Sequence, residues 1–123
     1  MSTFTIAIHG GAGTILKSML TPELELNYHQ GLQEALDAGY DVLKQSGTSL
    51  DAIVEAIKKL ENNELFNAGR GAVFTHKGIH EMDACVMTGQ DIDAGAVAGI
   101  SNIKNPIELA KYVMLESGHV LLS

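Results

Sequence analysis

The segment Ala94-Gly95-Ala96-Val97-Ala98-Gly99-Ile100 constrains the fold more than any other. A strand with one wet face alternates apolar and polar residues, and this one does not. Every position is apolar and nearly all are small. It reads as a strand in the middle of a sandwich, with layers pressed on both faces. The composition fits such a design: 13 glycines, 5% aromatic residues and no Trp. Its core must come from Ala, Val, Ile, Leu and Met, with backbones meeting closely at glycines. At 123 residues the chain has room for one domain and one ordinary core. Hydrophobic content of 46% against 19% charged argues for a folded chain rather than a disordered one.

Elements on either side of that strand have local signals. Residues 3–8, Thr-Phe-Thr-Ile-Ala-Ile, are a β-rich run that predicts a strand feeding the glycine loop His9-Gly10-Gly11-Ala12-Gly13. Thr21, Pro22 and Glu23 give a cap, a first helical proline and a first-turn acid. Leu24, Tyr28, Leu32, Leu36, Gly39 and Leu43 then follow at helical spacing, and Gly47 is placed for a left-handed helix end. A second helix starts at Thr48 or Ser49, with Asp51 completing a Thr-x-x-acid cap and Leu50, Ile53, Val54, Ile57 and Leu60 as its stripe. Residues 60–71 lose that period and predict an ordered loop. Residues 72–75 and 79–87 predict a hairpin around His76-Lys77-Gly78, Asn105-Pro106-x-Glu108 starts a third helix, and residues 119–122 a last strand.

Several function classes are excluded early. A net charge of −7, from 15 acids and 8 bases, offers no footprint for duplex DNA or an anionic membrane. Cys85 stands alone, so neither an internal disulfide nor a cysteine-based zinc site is available. The start lacks a basic n-region and no run reaches 18 apolar residues, so the expected location is the cytoplasm. The glycine loop lacks the third glycine of a dinucleotide fingerprint, Leu16 standing in its place, and lacks a P-loop lysine. A tight turn beside a close neighbour explains it better.

Other chemistry-bearing residues have plain structural readings. His76 and His80 fit exposed hairpin histidines better than a metal helix, because Gly78 and the strand pattern deny them one. His9 reads as a scaffold histidine. Cys85, among Ala84, Val86 and Met87, is expected to be a small buried thiol. Glu81 and Asp83 share one strand face, a pair that more often holds backbone or faces water than does acid–base work. The loop over residues 60–71 is richer, with Asn62, Asn63, Asn67, Gly69 and Gly71 in one short stretch. Exposed carbonyls there suit a hard cation, and a fixed Asn amide suits an oxyanion or a polar substrate.

Three segments in order carry a family resemblance: His9-Gly10-Gly11-Ala12-Gly13; Leu65-Phe66-Asn67-Ala68-Gly69-Arg70-Gly71-Ala72-Val73-Phe74-Thr75; and Ala94-Gly95-Ala96-Val97-Ala98-Gly99-Ile100. His80-Glu81-Met82-Asp83-Ala84 and Lys104-Asn105-Pro106-Ile107 also fit. Together they resemble the plant-type L-asparaginase, or isoaspartyl peptidase, branch of the N-terminal-nucleophile hydrolases, with glycosylasparaginase as its neighbour. The resemblance covers essentially all 123 residues.

The resemblance implies an α+β fold, the four-layer αββα sandwich, made as a precursor that cuts itself before a threonine. The freed threonine is then the nucleophile, with its own α-amino group as base, since that group's ordinary pKa of about 7.7–8.0 suits neutral pH. The implied substrate is asparagine or a β-aspartyl dipeptide. Residues 1–123 would be the α-subunit part of one domain, completed by a β subunit and then paired as a heterotetramer, a dimer of αβ pairs.

The family's Gly-Thr-Val-Gly-Ala segment does not occur in this chain, so no catalytic nucleophile is assigned here. Thr14 lies in the first glycine loop and Thr48 reads as a helix cap. What carries over is limited to supporting residues. Gly10 and Gly11 match a loop beside the active site that moves with precursor cutting, and Asn67 matches a polar residue near the nucleophile. The backbone carbonyls of Leu60, Glu61, Asn63, Phe66, Ala68 and Arg70 match a sodium-binding loop. Carbonyl ligation tolerates the side chains found at Asn63 and Arg70. Thr88 stands where an Asp is common before the glycine. No cofactor is implied for catalysis, only the structural sodium ion. The rival reading is a non-catalytic truncated paralogue acting in binding or assembly.

Overall fold

A computed structural model describes residues 3–11 and 15–123. The chain divides into two compact units, one ending at Leu60 and one beginning at Glu61.

The first unit is helical. Helix α1 spans Pro22–Lys44, opened by Thr21, whose hydroxyl accepts from the Leu24 amide at 3.1 Å. Helix α2 spans Ser49–Glu61. Thr48 caps it as the sequence indicates: its Oγ1 accepts from the Asp51 amide at 3.1 Å and donates to Asp51 Oδ2 at 2.7 Å. Gly39 sets the spacing between elements. A Cβ there would lie 2.9 Å from the Ala52 carbonyl oxygen and 3.3 Å from the Ala56 Cβ. Ala52 and Ala56 are buried at this approach, and Ala35 on α1 is buried too, so the core here is built of small side chains.

Two local expectations change in this unit. Residues 3–8 form no strand, because no ladder partner is present for them among the described residues. Instead they lie against α1, with Ile6 against Gly39 and the Phe4 and Tyr40 rings 5.3 Å apart. The left-handed residue after α1 is Ser46 (φ 65°), not Gly47. The Gly47 amide donates to the Val42 oxygen at 2.8 Å and the Ser46 amide to the Leu43 oxygen at 3.0 Å. That is a Schellman ending, in which Gly47 supplies room: a Cβ on it would sit 2.5 Å from Val42 Cγ1. Relieving the left-handed serine with Ser46→Gly is expected to stabilise the protein by about 1 kcal/mol, read as a higher urea midpoint at unchanged slope.

The second unit mixes helix and sheet. Strand β1 (Met82–Met87) pairs antiparallel with β2 (Ala94–Ile100), and β2 pairs parallel with the short β3 (Leu121–Leu122). Helix α3 (Pro106–Glu116) connects β2 to β3, as a parallel pair requires. The register pairs Val86 with Gly95 and Ala84 with Val97, so these four share one face. Helix α3 packs on that face. A Cβ on Gly95 would overlap the Ala110 oxygen and lie 2.5 Å from the Met114 amide nitrogen. Ile107, Ala110 and Val113 are buried from the helix side, Val86 and Val97 from the sheet side.

The same register overturns the expectation of a buried thiol. Cys85 pairs with Ala96, so it lies on the sheet face opposite α3 and is exposed, with Met87 beside it. The predicted hairpin survives in shorter form. A single bridge joins Phe74 to His80, the Thr75 amide donates to the Ile79 oxygen at 2.8 Å, and Gly78 turns the chain at φ 74°. No helix of the described residues is long and apolar enough to cross a membrane.

Candidate functional site

Residues 61–71 build the site from backbone. The Asn63 side chain starts the turn, its Oδ1 accepting from the Leu65 amide at 2.9 Å. The chain then folds back on itself. The Ala68 amide donates to the Phe66 oxygen at 2.8 Å, the Gly71 amide to the Ala68 oxygen at 3.0 Å, and the Ala72 amide to the Gly69 oxygen at 3.1 Å. Two glycines permit this path. Gly69 is left-handed (φ 51°), and a Cβ on it would overlap the Glu61 carbonyl oxygen. A Cβ on Gly71 would overlap the Phe66 oxygen and lie 2.7 Å from that of Glu64.

These contacts bear on the six carbonyls expected to hold a cation. The oxygens of Glu61 and Phe66 lie against the 69–71 turn, next to Ala68 and Arg70 in sequence. The Ala68 oxygen accepts from the Gly71 amide, and a carbonyl oxygen offers two lone pairs. An all-oxygen, carbonyl-rich donor set of this kind fits a hard cation. Among the described residues there is no cluster of three or more His, Cys, Asp and Glu that could hold a metal by side chains.

Asn67 is fixed by the same turn. Its Oδ1 accepts from the Val73 amide at 3.0 Å, which assigns the amide orientation and leaves the Nδ2 donors on an exposed side chain. A preset N–H pair suits an anionic or carbonyl oxygen. In the first unit, His9 is exposed and Gly11 is left-handed at φ 97°. Ala12, Gly13 and Thr14 lie outside the described residues.

The remaining candidates serve the scaffold. His76 and His80 are exposed, and the His80 ring stacks on Phe74 at 4.2 Å. Asp83 Oδ1 accepts from the Gly99 amide at 2.8 Å, holding left-handed Gly99 in the bulge between β1 and β2. Glu81 is exposed.

One group was invisible in the sequence. Asn105 has no side-chain cap bond to α3, although it occupies the cap position. Its Nδ2 donates to Glu61 Oε2 at 3.0 Å and to Asn62 Oδ1 at 3.3 Å. The cap comes from Glu61 instead, whose Oε1 accepts from the Ile107 amide at 2.9 Å. Both residues are buried, at 3% exposure for Glu61 and 8% for Asn105. A cavity of about 550 Å³ opens beside this pair, lined by Glu61, Asn62, Gly69, Arg70, Ile103 and Lys104.

A small mixed sheet backed by a helix makes this an α+β chain, and comparison with known proteins gives its family. The chain belongs to the asparaginase family, whose model matches residues 2–123. Among curated proteins it is 48% identical over 122 residues to the isoaspartyl peptidase of Salmonella typhimurium, covering 99% of this chain and 39% of that protein. It is 48% identical over 118 residues to the isoaspartyl peptidase/L-asparaginase of Xenopus laevis (96% and 37%), and 51% over 117 residues to the plant-type L-asparaginase of Thermococcus kodakarensis (95% and 37%). The chain thus spans less than two-fifths of the length of these relatives.

Proposed function

We propose that this chain is the α-subunit portion of an isoaspartyl peptidase/L-asparaginase, hydrolysing asparagine or β-aspartyl dipeptides together with a β subunit. The observation that carries this is the match itself: about half of the residues are identical over 95–99% of this chain, against 37–39% of each relative. On this reading the four-layer αββα sandwich is completed by the β subunit, and two αβ pairs form the heterotetramer. The exposed sheet face with Cys85 and Met87, and exposed Leu121 on β3, support a further layer there.

In this enzyme the nucleophile is a threonine of the β subunit, exposed by self-cutting, with its α-amino group as base. This chain supplies support. Asn67, pinned by Val73, offers its Nδ2 donors to a polar oxygen of the reacting group. By the resemblance, Gly10 and Gly11 belong to the loop that moves with precursor cutting. The carbonyls of Leu60, Glu61, Asn63, Phe66, Ala68 and Arg70 would hold a sodium ion, which when bound supplies the charge that keeps those oxygens together. With those oxygens held, the loop keeps Asn67 in place.

The test is ammonia release from asparagine and cleavage of a β-aspartyl dipeptide. The 123-residue chain alone is expected to give neither, and the protein carrying its β subunit both. A soluble chain that binds asparagine without hydrolysis, with no second subunit required, would favour the non-catalytic paralogue.

A further inference from the structure

Asn at a helix start ordinarily turns its side chain onto the first-turn amides. Asn105 does not; it points its amide at a carboxylate 44 residues earlier in the chain. We propose that Glu61 and Asn105 are a positioning pair that ties the carbonyl loop to the N-terminus of α3, so that a cation in the loop is felt at the Ile107 amide. This rests on the cation reading of the loop given above.

Each end of the tie is rigid. At the loop end, Gly69 packs so closely on Glu61 that a Cβ would overlap its carbonyl oxygen and lie 2.7 Å from its Cβ. Glu61 therefore cannot shift without moving the 69–71 turn. At the helix end both carboxylate oxygens are committed, Oε1 to the Ile107 amide and Oε2 to Asn105 Nδ2. Asn62 Oδ1 accepts from the same Nδ2, so two consecutive residues converge on Asn105. The negative carboxylate also lies where the dipole of α3 favours it.

Burial makes the tie nearly all-or-none. At 3% exposure the Glu61 carboxylate is poorly hydrated, so losing one donor is costly. Helix α3 rests in turn on Gly95 of β2. Asn67 belongs to the same loop, so its placement and that of α3 are one property. Glu61 then acts in two ways, through its backbone oxygen toward the cation and through its side chain toward α3. Neither residue needs to touch substrate.

Amide exchange in the full-length protein, followed by NMR, tests this in sodium chloride and in tetramethylammonium chloride at equal ionic strength. The reporters are the Gly71 and Ala72 amides in the loop and the Ile107 amide on α3. The Ala96 amide, bonded to the Val120 oxygen at 2.7 Å, is the reference. Replacing sodium is expected to speed exchange at Gly71, Ala72 and Ile107 together by about tenfold, a step typical of losing one charged hydrogen bond, with Ala96 unchanged. Asn105→Ala in sodium is expected to speed Gly71 and Ala72 similarly, again sparing Ala96. If Gly71 and Ala72 respond to sodium and Ile107 does not, the coupling is overturned while the cation reading stands. If none of the three responds, both are overturned. The comparison of salts needs no variant, so a poorly folding Asn105→Ala leaves the proposal open to disproof.

Discussion

Gly95→Val is expected to cost about 4 kcal/mol or more, a large fraction of a globular protein's stability. Its first added atom would overlap the Ala110 oxygen and approach the Met114 nitrogen to 2.5 Å and the Met114 Cβ to 2.6 Å. Two of those contacts are backbone of α3, which no rotamer change can move aside. The helix would have to lift from the sheet, uncovering Ile107, Ala110, Val113, Val86 and Val97. Urea unfolding measures the loss. Gly89→Ala is the control, since nothing lies within 4 Å of a Cβ there, and it should stay within about 0.5 kcal/mol of the parent. Equal midpoints for Gly95→Val and Gly89→Ala would contradict the packing of α3 on β2.

Gly69→Val is expected to cost about 3 kcal/mol, from a left-handed backbone that branched residues avoid and from overlap with Glu61. The loss is read as a melting temperature lower by several degrees. The two causes can be separated. Asn tolerates φ 51° but still carries a Cβ, so Gly69→Asn recovers only the conformational part. If Gly69→Asn melted with the parent, the close approach of Gly69 to Glu61 would be wrong. Because Asn67 and the candidate cation carbonyls share this turn, Gly69→Val should also abolish sodium dependence in the complete enzyme.

What the sequence revealed about this molecule follows the range of each signal. Helix α1 begins where Thr21 and Pro22 place it, and α2 where Thr48 and Asp51 do, because caps are set within three residues. Strand β2 matches its small apolar run residue for residue. Features decided by distant partners were not legible. The exposure of Cys85 depends on its pairing with Ala96, and the extended run at residues 3–8 has no ladder to join among the described residues. Asn105 looked like a local cap because nothing near it announces Glu61. Ser46, not Gly47, takes the left-handed position because Gly47 is needed for room against Val42. At the candidate site, the turn and its glycines follow from physical reasoning. The assignment of Asn67, Gly10, Gly11 and six particular carbonyls came from motif resemblance, since carbonyl oxygens leave no trace in side-chain identity.

The central claim is that these 123 residues are one part of a two-part enzyme. Intact mass spectrometry of the purified, active full-length protein tests it most directly. The account predicts two polypeptides in equal amount, the first containing all of residues 1–123 and the second beginning with threonine. A single uncut polypeptide that releases ammonia from asparagine would contradict it.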